Sequence, residues 1–221
     1  MTTTPINLPV RIDMNSFISI HAHDIRTPFN HITGFSKMLL NTLSDAPLNE
    51  MQKEDLGTVY RSGMHALETV NGLIDISRLG LGEKHISPSD VDIQLLVDRG
   101  LAQWMKFHPG IETEVMVRNL AKSANLHADE QMLQQVMAGF ISYVGLYCEG
   151  KATVTVTVEE DGEHFFFTVS SSGLKARLPS ALDVELLGYI NRAFVELNAG
   201  EIKRAEENDA GAIIQFSLPK K

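Results

Sequence analysis

Between Met14 and Leu39 the residues Met14, Ile18, His21, Ile25, Pro28, Ile32, Phe35 and Leu39 return at alternating spacings of four and three. That spacing is the seam of a helix that packs in coiled-coil fashion. Asp13 stands where an N-cap belongs, and Ser44-Asp45-Ala46-Pro47 breaks the pattern. Asn49 followed by Gln52 reads as a capping box with Leu48 as its hydrophobic staple, so a second helix is predicted to start there. Leu56, Val59, Tyr60, Gly63, Leu67, Val70, Leu73 and Ile74 give it an apolar stripe, and it ends near Leu79-Gly80-Leu81-Gly82. Two long helices joined by a short loop make a hairpin. A lone hairpin leaves half its seam wet, so pairing with a second copy into a four-helix bundle is expected.

Beyond Gly82 the period changes. Ile86-Ser87-Pro88-Ser89-Asp90 reads as a short strand or linker before a helix at Ile93–Phe107. Ile111–Val117 alternates like a strand, and Asp129–Tyr147 has helical spacing. Thr153–Val158 and Phe165–Ser170 flank Asp161-Gly162, a hairpin signal. Pro179–Asn198 is predicted helical with Gly200 as its C-terminal cap. Ile202–Glu206 and Ala212–Leu218 form a last hairpin around Asn208-Asp209-Ala210-Gly211. The fold expected is α+β: an antiparallel helical hairpin over 13–82 in a dimeric four-helix bundle, then an α/β sandwich over 86–219 with one mixed sheet covered by helices.

Composition narrows the function classes. Over 221 residues, 43% are hydrophobic and 21% charged, an ordinary globular balance. The formal net charge is −9 and the basic residues are scattered, which argues against a nucleic-acid or anionic-membrane surface. No apolar run reaches membrane-span length, and Met1-Thr2-Thr3-Thr4-Pro5 lacks the regions of a signal peptide. Cys148 is alone, which excludes an intrachain disulfide and fits a reducing, cytoplasmic setting.

The candidate chemistry sits on the first helix. In the seam register His21 turns inward and His23 falls on the exposed side, sharing its face with Arg26 and Thr27, with the carboxylate Asp24 next in sequence. An imidazole is a good nucleophile near neutral pH when a carboxylate holds one nitrogen and leaves the other open. Pro28 removes one helical hydrogen bond and collides with the Asp24 carbonyl, at a cost of about 3 kcal/mol. Local loosening beside a reactive site would account for it; an idle surface histidine beside an accidental kink is, from the residues alone, an equal reading. His21 and His23 lie about 200° apart around a helix and cannot share a metal. His31 lies two turns on and reads as a bundle-edge side chain, and no Cys or His cluster has metal-site spacing.

The stretch Phe17-Ile18-Ser19-Ile20-His21-Ala22-His23-Asp24-Ile25-Arg26-Thr27-Pro28-Phe29-Asn30-His31-Ile32-Thr33-Gly34-Phe35 closely resembles the H-box of sensor histidine kinases. The resemblance implies that His23 carries a phosphoryl group and that Asp24 orients or deprotonates it. It also implies that Thr27 positions water or the partner when phosphate is removed. The second half, from about Ile86 to Pro219, resembles the ATP-binding domain of the same kinases. Ala128-Asp129-Glu130-Gln131-Met132-Leu133-Gln134-Gln135-Val136-Met137 looks like the entry to the helix that carries the asparagine box. The family's residues for nucleotide are missing at the matching positions. Gly139 and Tyr143 stand in place of asparagines, and Ser171-Ser172-Gly173-Leu174-Lys175 in place of an Asp-x-Gly-x-Gly pattern. No glycine-rich lid lies between Gly173 and Gly188.

A phosphoacceptor without a donor site of its own resembles the dimeric histidine phosphotransferases of phosphorelays. The expectation is therefore transfer from a receiver-domain aspartyl phosphate to His23 and on to another receiver, with no cofactor in this chain. Mg²⁺ is expected on the receiver only, and homodimers and receiver domains are the expected partners. Two alternatives stand beside it: a divergent sensor histidine kinase or receiver phosphatase, and a pseudokinase adaptor that binds receivers without transfer.

Overall fold

The computed structural model describes residues 13–41, 48–107, 113–145, 148–175, 181–208 and 211–220. Three helices open the chain: α1 (Met14–Ile20), α2 (Ala22–Asn41) and α3 (Glu50–Gly80). Asp13 accepts from the Ser16 amide at 3.2 Å and so starts α1 as predicted. The single helix expected from Met14 to Leu39 is instead interrupted at His21. Pro28 lies seven residues further on, inside α2, and leaves the Asp24 carbonyl without its helical amide. Asn49 and Gln52 close both arms of the capping box at the start of α3.

The hairpin packs through small residues. Ala22, Thr33 and Ser36 of α2 are buried, as are Gly63 and Met64 of α3. A Cβ on Gly63 would lie 3.0 Å from Thr33 Cγ2, so the glycine lets the helices approach closely. The seam residue Ile32 also meets Gly63, its Cγ2 lying 3.1 Å from where a Cβ would stand, yet Ile32 and Phe35 remain 43% and 61% exposed.

The sandwich follows: β1 (Ser89–Asp92), α4 (Ile93–Phe107), β2 (Thr113–Asn119), β3 (Asn125–Ala128), α5 (Glu130–Gly145), β4 (Cys148–Glu160), β5 (His164–Lys175), α6 (Ala181–Leu197), β6 (Glu201–Asn208) and β7 (Gly211–Pro219). Five strands form one mixed sheet in the order β2-β4-β5-β7-β6, with β2 and β4 parallel. The alternation of each strand sends one face inward: Val154, Val156 and Val158 from β4, Phe165, Phe167 and Val169 from β5, Ile214, Phe216 and Leu218 from β7. Helices α4, α5 and α6 cover that face, adding Leu96, Met137, Ile141 and Phe194 to one core.

Differences from the expectation have local causes. The sheet is not single: β1 and β3 pair apart from it, and β3 is too short to show alternation against the background. Strand β5 runs on to Lys175 because Leu174 and Lys175 pair with Glu149 and Cys148. At the end of α6 the left-handed residue is Ala199, with φ 57°, and not Gly200. The Gly200 amide bonds the Val195 carbonyl at 2.9 Å, so it is the residue after the turn. Gly200 is required for another reason, since a Cβ there would collide with the Ser217 carbonyl of β7. No described helix is long and apolar enough to cross a membrane.

Candidate functional site

His23 is the second residue of α2 and is exposed, while His21 at the interruption is half-buried, as the seam register requires. Between them Ala22 is buried. The Thr27 hydroxyl donates to the His23 carbonyl at 2.8 Å, a bond back along the helix that ties Thr27 to the turn bearing the imidazole. Arg26 is half-buried and donates through Nε to Asn71 Oδ1 on α3 at 2.6 Å. The hairpin thus holds the guanidinium toward α3. Asp24 lies on α2 with its side chain outside the described residues. Thr27 is thus tied to the turn of His23, and Arg26 is held by Asn71, a partner that the sequence reading did not single out.

Helix α3 extends past the hairpin and meets the sandwich. Gly72 is the contact point: a Cβ there would lie 2.9 Å from Leu186 Cδ2 and 3.1 Å from Ile190 Cδ1 of α6. One turn on, Asp75 is 8% exposed and pairs with Lys84 Nζ at 2.8 Å. The Lys84 ammonium also stands 5.1 Å from the centre of the Phe194 ring. Asp75, Lys84 and Phe194 thus join bundle, connector and sandwich at a place where the sequence shows only scattered charges.

The positions matched to the asparagine box and to the Asp-x-Gly-x-Gly pattern have their own arrangement. Gly139 leaves its space to Asn191 of α6: a Cβ at 139 would lie 2.7 Å from Asn191 Cγ and closer still to both amide atoms. Asn191 is 2% exposed, and its Nδ2 has no hydrogen-bond partner. Leu187, Asn191 and Val195 follow at spacings of four along α6, so a polar residue in a buried stripe was the available signal. Ser171 is buried, and its hydroxyl is fully engaged. It donates to the Val144 carbonyl at 2.7 Å and accepts from the Ala212 amide at 3.1 Å.

Residues 13–82 match the His Kinase A (phospho-acceptor) domain. An uncharacterized sensor-like histidine kinase of Rhizobium meliloti (strain 1021) is 24% identical over 198 residues, which are 88% of this chain and 36% of that protein. The chain spans 36% or less of the length of the first curated relatives it matches. Full-length ShkA in complex with AMPPNP superposes with a TM-score of 0.65 at 23% identity, covering 93% of this chain and 46% of ShkA. Histidine kinase ThkA in complex with the response regulator protein TrrA gives a TM-score of 0.55 at 16% identity, covering 93% of this chain and 61% of ThkA. At these identities the superpositions speak for the fold alone.

Proposed function

We propose that this histidine-kinase-like two-component protein exchanges phosphoryl groups with receiver domains through His23, without charging itself from ATP. The observation that carries the transfer half is the exposed His23 at the N-terminal end of a matched phospho-acceptor segment, flanked by a fixed Arg26 and Thr27. In the step proposed, an imidazole nitrogen of His23 attacks the phosphorus of an aspartyl phosphate. The acyl oxygen–phosphorus bond breaks, the receiver carboxylate leaves with the bonding pair, and the imidazole loses its proton to water or to Asp24. Arg26 neutralises charge on the transferring oxygens. A groove of about 420 Å³ along α2 and α3, bounded by Arg26, Asn30, Lys37 and Tyr60, suits the docking of a receiver helix. The exposed Ile32 and Phe35 suit a homodimer, which would cover them.

For the ATP half, the residues at the matched positions do not fit a magnesium nucleotide. Mg²⁺ takes oxygen ligands, and Gly139 brings no side-chain oxygen. The Ser171 hydroxyl is spent on two backbone groups, where an aspartate would meet an adenine amine. Strand β5 stays paired with β4 through Lys175, across the stretch where a loop would leave the sheet.

The relatives favour a second reading, that of a divergent kinase, because the proteins matched are named histidine kinases. The deciding experiment presents the whole chain with ³²P-labelled ATP and Mg²⁺, and separately with labelled, phosphorylated receiver domains. Label arriving from a receiver and not from ATP is expected. Label from ATP would establish the kinase reading, and label from neither would leave a receiver-binding adaptor.

A further inference from the structure

We infer that the edge of the sheet at β2 is a self-pairing surface, to which the same strand of a second copy of this chain adds antiparallel about a two-fold axis at Met116. Strand β2 ends the row of strands, and among the described residues it pairs with β4 and no other strand. The Leu120 amide donates to the Val158 carbonyl of β4 at 2.8 Å. Successive residues of a strand turn their amides and carbonyls to opposite sides, so Arg118, Met116 and Glu114 also bond β4. Val115 and Val117 therefore present theirs outward, and no other backbone among the described residues takes them up.

The two edges of the sheet treat such a row differently. Strand β6, at the far edge, carries Glu201, Lys203, Arg204, Glu206 and Glu207, and pairs Lys203 with Glu201 and Arg204 with Glu206 within itself. Charge of that density keeps a foreign strand away. Strand β2 has only Glu114 and Arg118 over Thr113–Asn119, and among the described residues neither makes an ion pair. Four residues apart on a strand, they stand about 13 Å from each other and cannot pair within the chain.

Reversal about Met116 gives both charges a partner. It sets Glu114 opposite the partner's Arg118, and Arg118 opposite the partner's Glu114, on either side of Met116, which is 38% exposed. These are the pairs without backbone bonds between them, where side chains come closest. Val115 meets the partner's Val117, and such pairs exchange two backbone hydrogen bonds each. Both valines pack on the core while only half-buried, so a second strand covers their open side. Registers centred on Glu114 or on Arg118 would oppose like charges, so charge selects the one centred on Met116. The contact is separate from the seam of Ile32 and Phe35, and a chain that uses both forms tetramers or longer rows.

The test is sedimentation of the whole chain carrying Ile32→Glu, which removes the seam, from micromolar to millimolar concentration, because a one-strand contact is small and weak. A monomer–dimer equilibrium is expected. Glu114→Lys and Arg118→Glu, both at exposed positions, should each weaken it about tenfold or more, and the double reversal Glu114→Lys/Arg118→Glu should restore it. The register is read by oxidation in a Cys148→Ser background, where an introduced cysteine is the single thiol. Met116→Cys should cross-link to a dimer, since opposite residues of such a pair stand about 4.5 Å apart at Cα. Arg118→Cys, about 13 Å from its own copy, should not. Should Ile32→Glu fail to fold, the cross-link, read without that substitution, carries the test. A protein monomeric throughout the series overturns the second copy as occupant and leaves the edge to a strand of another protein. A dimer that Glu114→Lys leaves unchanged, a double reversal without rescue, or equal cross-linking at 116 and 118 also overturns the inference.

Discussion

Replacing a glycine in the middle of a helix by alanine ordinarily stabilises it by about 1 kcal/mol. At Gly139 the sign is expected to reverse. The added Cβ would sit 2.7 Å from Asn191 Cγ, which moves only if χ1 leaves its rotamer, so turning the amide end does not clear the clash. Overpacking a filled interior costs about 1–3 kcal/mol. Taking about 2 kcal/mol for the clash against about 1 kcal/mol of helix propensity, Gly139→Ala should lose about 1 kcal/mol. In an Asn191→Ala background the clash is gone and the same substitution should gain about 1 kcal/mol, a coupling of about 2 kcal/mol. Urea unfolding of the four proteins measures this, followed by the fluorescence of Trp104, the single tryptophan, which is buried on α4. Equal stabilisation by Gly139→Ala in both backgrounds would refute the packing of Asn191 into the space at 139.

Three further outcomes are expected. The Glu160 carboxylate accepts from the Ser123 and Lys122 amides and pairs with Lys220; the Ser123 side chain first, then Lys220 and the Lys122 amide, lower its pKa from 4.5 to about 2. Its folded pKa is depressed, so its stabilisation is present above about pH 4.5 and is lost as the pH falls toward 2. Urea midpoints should drop more steeply across that window in wild type than in Glu160→Gln. Ser171→Ala leaves the Val144 carbonyl and the Ala212 amide without their buried partner and should cost about 2 kcal/mol in the same unfolding assay; a neutral result would mean that water replaces the hydroxyl. Ile32→Glu or Phe35→Glu should convert a dimer to monomers in light scattering at micromolar concentration, and a monomeric wild type would refute the dimer.

The elements with strong local signals were legible in the chain. The Asn49–Gln52 capping box starts α3, and Asp161-Gly162 turns β4 into β5, with Asp161 Oδ1 accepting from the Glu163 and His164 amides. What escaped depends on contacts distant in sequence. Strand β3 is four residues long and acquires its identity only by pairing with β1. The extension of β5 to Lys175 depends on Cys148 and Glu149 of the neighbouring strand. The same holds at the site. His23, Arg26 and Thr27 share a helix face by spacing alone, so a sequence finds them. Asn71 opposite Arg26, Lys84 on Asp75, and Asn191 against Gly139 come together across 45, 9 and 52 residues of chain, and only packing reveals them.

The central claim is that His23 is the residue that takes the phosphoryl group, and acid-labile, alkali-stable labelling of variants tests it most directly. Wild type, His21→Ala and His23→Ala are each mixed with a labelled, phosphorylated receiver domain that labels the wild type. Alanine is well tolerated at an exposed helical position, so His23→Ala should keep the wild-type melting curve and oligomeric state. Labelling should vanish in His23→Ala and persist in His21→Ala, whose imidazole is half-buried at the helix interruption. A labelled His23→Ala, or an unlabelled but folded His21→Ala, would contradict the assignment.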